Sequence, residues 1–237
     1  MSNRIHPTAI IGDGVELGEG NVIGPYTVIV GPCRVGSGNW IGPHVSIGGP
    51  AEYRGGMHPA GWDGELGLHG VEIGDRNIIR EFASVNGGVA GPTSIGAECY
   101  LMSGSHLGHD SILEDGVTVT SAVQIAGHCR IWGGANLGMG TVVHQRAQVG
   151  PGAMVGMQAA VRKDVAAFTV TVGDPARAVA INEVGLRRWG CDDATIAALG
   201  PYLKGKGELP SELPEEVAVL LKRWADRAED ETDGPHP

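Results

Sequence analysis

The chain has 237 residues, 40 of them glycine, with only two Phe and four Tyr. That pairing calls for many tight turns around a core of small aliphatic side chains, and it speaks against an aromatic-packed or helical domain. A net charge of −10 with no basic run excludes a nucleic-acid surface, and no apolar run approaches membrane-spanning length. No charged-then-apolar leader opens the sequence, so the expected location is cytoplasmic. Cys33, Cys99, Cys129 and Cys191 form neither CxxC pairs nor a disulfide pattern and are expected to be reduced.

Taken from the start, the chain repeats every six residues. Ile5, Ile11, Leu17, Ile23, Ile29, Val35, Ile41 and Ile47 are aliphatic without a miss. The rhythm stops across 49–70, resumes at Ile73, Ile79 and Val85, and pauses again across 86–94. It then runs unbroken from Ile95 through Leu107, Ile125 and Val143 to Val161. A helix would need a period of 3.6 and a lone strand 2.0, so neither accounts for six. A parallel β-helix does: each unit is a short strand and a turn, three units close a triangular coil of ~18 residues, and the aliphatic points inwards. The fold class expected is therefore all-β with a helical appendage, the β-helix spanning 1–175. The excursions at 49–70 and 86–94 loop out of its corners, where binding is commonly found.

After Asp174-Pro175 the period ends, and a helical region is expected over 176–228. A helix is predicted within 181–190, a second from an Asp192 N-cap to about Gly200-Pro201, and a third from near Pro214. The acidic segment 229–237 reads as a disordered tail.

Coil geometry converts sequence offsets into contacts, because residues one coil apart stack at ~4.8 Å. Beneath His109, at an outward turn, come Gly127, then Gln145, then Lys163. His106 precedes that turn, Asp110 follows it, and His128 and His144 flank the same ridge. Four of the nine histidines thus fall along one edge, beside the shorter excursion. A histidine on an outward turn usually has no role, but such a cluster beside a glycine suits acyl transfer. Neutral imidazole can remove a proton from a hydroxyl or amine attacking a thioester. The Gly127 N–H can donate to the developing oxyanion, and Asp110 can orient the His109 ring. Metal chemistry is the sharpest rival reading, with three histidines meeting zinc as in gamma-class carbonic anhydrases. The His106/His109 spacing and the lack of that family's other signatures weigh against it, so no metal ligand is assigned. A non-catalytic scaffold that keeps only the fold is a further alternative.

Several segments together carry a resemblance: HPTAIIGDG, GPYTVIVGP, VEIGDRNIIRE, SHLGHDSILEDG, IAGHCRI, VVHQ and NEVGLRR. They are similar, in order as well as content, to the acyl-ACP:UDP-N-acetylglucosamine O-acyltransferases of lipid A biosynthesis, over residues 5 to about 200. The resemblance implies left-handed coils, a homotrimer with active sites at subunit clefts, and transfer of a hydroxyacyl group from acyl carrier protein to the 3-hydroxyl of a UDP-sugar without a metal; acyl-CoA is kept as an alternative donor, and no cofactor is expected. It implies His109 as general base with Asp110 beside it and Gly127 as the oxyanion donor. His106, His128, His144 and Gln145 fall on further active-site positions, and Arg188 on a nucleotide-phosphate contact. Met157 falls where the family limits acyl chain length, which implies a short or medium chain. Asn86 and Gly87 stand where the family carries His-Arg, and Trp189 stands where it carries a second arginine. These departures lie where the acceptor is expected to bind. N-acylation of an amino sugar or other small amine is accordingly the alternative reading.

Overall fold

In the computed structural model, residues 2–55 and 69–227 are described. Two- to four-residue strands wind into a left-handed parallel β-helix with three faces. One face is a ten-stranded sheet beginning at Arg4–Ile5, the second an eight-stranded sheet beginning at Ile10–Ile11, and the third a seven-stranded sheet beginning at Val15–Leu17. The six-residue period is what builds it. Leu107 lies beside Ile125, Ile125 beside Val143, and Val143 beside Val161, each one coil below the last. Every one of these side chains is buried in the axial core. Ile5, in the first described coil, is exposed although it lies on the repeat, whereas Ile10 faces outwards as Ile78 and Ile112 do further along.

Both excursions leave the aliphatic column aligned, since Ile47 pairs with Val85 and Val85 with Leu107, and the ladder slips only at their mouth, where Asn86 pairs with Gly49. Their feet are tied together: the Gly87 N–H donates to the Gly49 carbonyl, the Gly88 N–H to Gly70, and the His69 N–H to Gly88. The shorter excursion is narrower than 86–94, because Asn86 ends one strand (Ser84–Asn86) and Thr93 begins the next (Thr93–Ile95).

Past the last full coil, Thr169–Val172 turns back on Arg177–Ile181 as an antiparallel pair. The region expected to be helical from 176 thus opens on a strand, whose backbone extends the ten-stranded sheet. Three helices follow: α1 (Glu183–Arg188), α2 (Asp193–Leu203) and α3 (Glu215–Asp226). Asp192 caps α2 by accepting from the Thr195 N–H. This helix runs past Pro201, where an end was expected, because the Lys204 N–H closes the last turn on the Gly200 and Pro201 carbonyls. The helices bury Leu186, Leu199, Val217 and Leu221 with Trp132 and Phe168 in a second core. Glu114, on the β-helix, holds α3 in place by accepting from Arg223 at 2.8 Å, and is itself positioned by Arg130 of the neighbouring coil at 2.7 Å. The acidic segment 229–237 lies outside the described residues, as does most of the longer excursion.

Candidate active site

At the corner between the second and third faces, the turn after strand His106–Leu107 carries His109 and Asp110. Asp110 occupies the left-handed backbone region at φ 59°, the conformation the tight turn requires and one that aspartate tolerates. Its carboxylate is buried and fully engaged. Oδ1 accepts the backbone N–H groups of Val89, Ala90 and Gly91 at 2.7–3.0 Å, while Oδ2 lies 2.6 Å from His109 Nδ1. Burial alone would push this carboxyl up, but the bonds from His109 and the three N–H groups outweigh it and hold it below its ordinary value.

An ionised carboxylate only accepts, so the His109 Nδ1 carries the proton and Nε2 keeps its lone pair in the neutral ring. That Nε2 faces the Cα of Gly127 one coil below: a Cβ built there would sit 2.7 Å from it. Glycine is therefore required for the ring to lie where it does. The Gly127 N–H donates to no other group among the described residues, which leaves it available to an oxyanion. His128 stacks edge-on against His109, with ring centroids 4.9 Å apart, and its Nε2 stands 3.9 Å from Asp110 Oδ2. Burial holds the His128 imidazole below its ordinary pKa, with Asp110 opposing and Arg146 adding to the shift. Burial does the same to His106, whose Nδ1 meets Ser84 Oγ at 2.8 Å. Both rings therefore favour the neutral form at pH 7.

Around these groups lies an open cleft of about 440 Å³. His106, His109, Gly127, Asn86 and Gln145 all line it. His128 joins through its contacts with His109 and Asp110. Three expected residues are not brought to the cleft within this chain. His144 is exposed and turns its Nδ1 towards the Gln145 carbonyl, Arg188 sits on α1, and Met157 lies at the corner between the first and second faces. Other residues had not been singled out. Ser84 is fixed by the register against His106, one coil plus the inserted residues away, so its pairing was within reach of the repeat argument. Thr93 accepts the Asp110 N–H. Tyr53, whose ring lies 5.7 Å from that of His109, and Glu52 come from the longer excursion, where no period guides the reading.

His109, Asp110 and His128 are also the described residues grouped closely enough to hold a metal ion. The rival reading had instead paired His106 with His109. The 2.6 Å between His109 Nδ1 and Asp110 Oδ2 is a hydrogen-bond separation. Two ligands on one tetrahedral zinc at ~2.1 Å would stand ~3.4 Å apart, so as it stands this pair is hydrogen-bonded rather than spaced as two ligands of one ion.

No family model matches the chain. Among solved structures, the UDP-N-acetylglucosamine O-acyltransferase of Moraxella catarrhalis superposes with a TM-score of 0.70 at 30% identity, covering 94% of this chain and 93% of that one. The chain belongs to the UDP-N-acetylglucosamine O-acyltransferase family. The family's member from Acinetobacter baumannii gives a TM-score of 0.71 at 29% identity, over 95% of each chain. In sequence, the family's acyl-ACP-dependent enzyme from Gloeothece citriformis is 37% identical over 131 residues, 54% of this chain and 48% of its own length. The chain thus spans about half to two thirds of the length of these curated relatives, while the two solved structures are matched nearly end to end.

Proposed function

We propose that the chain is an acyltransferase that moves an acyl group from a carrier-protein or CoA thioester to a UDP-sugar or related sugar-nucleotide acceptor. The observation that carries this reading is the His109 pair of contacts. Its Nδ1 is held by the Asp110 carboxylate, and its Nε2 faces a glycine whose N–H has no acceptor among the described residues. In the step this arrangement suits, Nε2 takes the proton as the acceptor attacks the thioester carbonyl. The Asp110 carboxylate stabilises the imidazolium, the Gly127 N–H receives the oxyanion, and the departing thiolate then takes the proton back. No cofactor or metal is called for by these steps.

Names of the relatives support the substrate classes, acyl carrier protein for the donor and a UDP-sugar for the acceptor. Gln145 and His106, on the cleft wall, are suited to bind the acceptor, with His128 buttressing the base. His144 and Arg188 are assigned to binding through a neighbouring subunit or a long ligand, and Met157 to the end of the acyl groove. The active form on this reading is a homotrimer, with each cleft closed by the adjacent chain, and it works in the cytoplasm. Incubating the purified chain with acyl-carrier-protein and acyl-CoA thioesters, a UDP-sugar and a thiol reagent tests the proposal. Acceptor-dependent thiol release with an acylated nucleotide product is expected. Hydrolysis alone, or no release from any thioester, would overturn it.

A further inference from the structure

Asn86 ends the strand that leads into the cleft and is only 8% exposed. Its Nδ2 donates to the Pro50 carbonyl at 2.8 Å, which fixes which end of the amide is which. Its Oδ1 is consequently pointed away from that carbonyl, buried, and without a hydrogen-bond partner among the described residues. A buried carbonyl oxygen left unpaired is rare, and at a cleft wall it is completed most simply by a ligand. Among the described residues that line this wall, Glu52 is the charged group near Asn86, so this part of the cleft suits a hydrogen-bond donor on the ligand.

We propose that Asn86 selects the acceptor, its Oδ1 accepting a hydrogen bond from an amino group, so that this chain acylates nitrogen on an amino-sugar nucleotide. The inference rests on the acyl-transfer reading and narrows its acceptor. A hydroxyl has one proton, and in the attacking geometry that proton is directed at His109. An amine has a second N–H to give, and Asn86 supplies an acceptor for it on the same cleft. The amine lone pair forms the C–N bond at the thioester carbonyl, and the C–S bond breaks. The proton shed by nitrogen passes to His109 and leaves on the thiolate, giving an amide and a free thiol.

The test compares two acceptors with the intact chain and one acyl-carrier-protein donor: a UDP-sugar bearing a hydroxyl at the reacting carbon, and its analogue with an amine there. The amine should be preferred by at least tenfold in kcat/KM, and Asn86→Ala should bring that ratio towards one. Asn86→Asp loses the Nδ2 donor to Pro50 but keeps an acceptor oxygen, so it should retain the preference. A preference for the hydroxyl, or no preference, overturns the inference and leaves acyl transfer standing. So does an equal loss on both acceptors in Asn86→Ala and Asn86→Asp alike, which marks Asn86 as a clip for the longer excursion. If wild-type protein acylates neither acceptor, the acyl-transfer reading itself falls.

Discussion

The ring of His109 is held from three sides, by Asp110 at Nδ1, by the edge of His128, and by the absence of a side chain at Gly127. The third of these gives a sharp expectation. Gly127→Ala puts a methyl group 2.7 Å from Nε2, so the imidazole has to swing out of line with the acceptor. Activity should fall by at least ~10²-fold, a typical effect of losing a positioned base, while the coil itself folds. Turnover close to wild type in a folded Gly127→Ala protein would show that Nε2 does not work where it now points. His109, Asp110 and Gly127 were all legible in the sequence, because an 18-residue coil turns offsets into neighbours. The anchoring of Asp110 by three successive N–H groups was not. It depends on the path of residues 89–91, in a segment that the period does not reach. The unpaired oxygen of Asn86 was hidden for the same reason, since its partner Pro50 belongs to the other excursion.

Among the elements, the coils are joined by more than their backbone ladders. Asn21, Asn39 and Asn77 stack as a buried column, in which Asn39 Nδ2 and N–H both donate to Asn21 Oδ1. Asn39 Oδ1 in turn accepts the Asn77 N–H at 2.8 Å, and Asn77 Oδ1 accepts the Cys99 N–H at 2.7 Å. Removing one rung strands buried donors and acceptors on both sides. Asn39→Ala should therefore cost ~1–3 kcal/mol in denaturant unfolding, and an unchanged midpoint would show the column to be incidental. The strands and the axial core were readable from the six-residue period alone. The end of α2 was not, because Pro201 signals a stop that the closing bonds of Lys204 override. Met157, 72% exposed in the single chain, belongs at this scale too. If it ends the acyl groove, Met157→Gly should shift the preferred donor to longer acyl chains, since each added buried CH₂ contributes ~0.8 kcal/mol. Rates across a ladder of acyl thioesters decide the point, and an unmoved optimum would remove Met157 from the groove.

For the whole molecule, the corner between the first and second faces carries Tyr26, Phe82, Met139 and Met157 in the open, with Val142 exposed on the adjoining second face. Tyr26, His44 and Phe82 stack there as a continuous ladder of rings, 5.1 and 5.4 Å apart. Such an exposed apolar ridge, across the second face from the open cleft, is suited to a neighbouring subunit. Sedimentation at micromolar concentration should give three times the 24.5 kDa chain, and a monomer would contradict the trimeric arrangement. Assembly was suggested by the family resemblance and by the need of an outward ridge for a second wall. It could not be read from the period, which describes one column only.

The claim on which the rest depends is that His109 is the general base of an acyl transfer. The most direct measurement is the single-turnover rate of acyl transfer from a saturating acyl-carrier-protein thioester, for wild-type protein and for His109→Ala with an unchanged thermal midpoint. The rate should drop by ~10²–10⁴-fold in the variant. A folded His109→Ala protein that transfers the acyl group at the wild-type rate would contradict the mechanism.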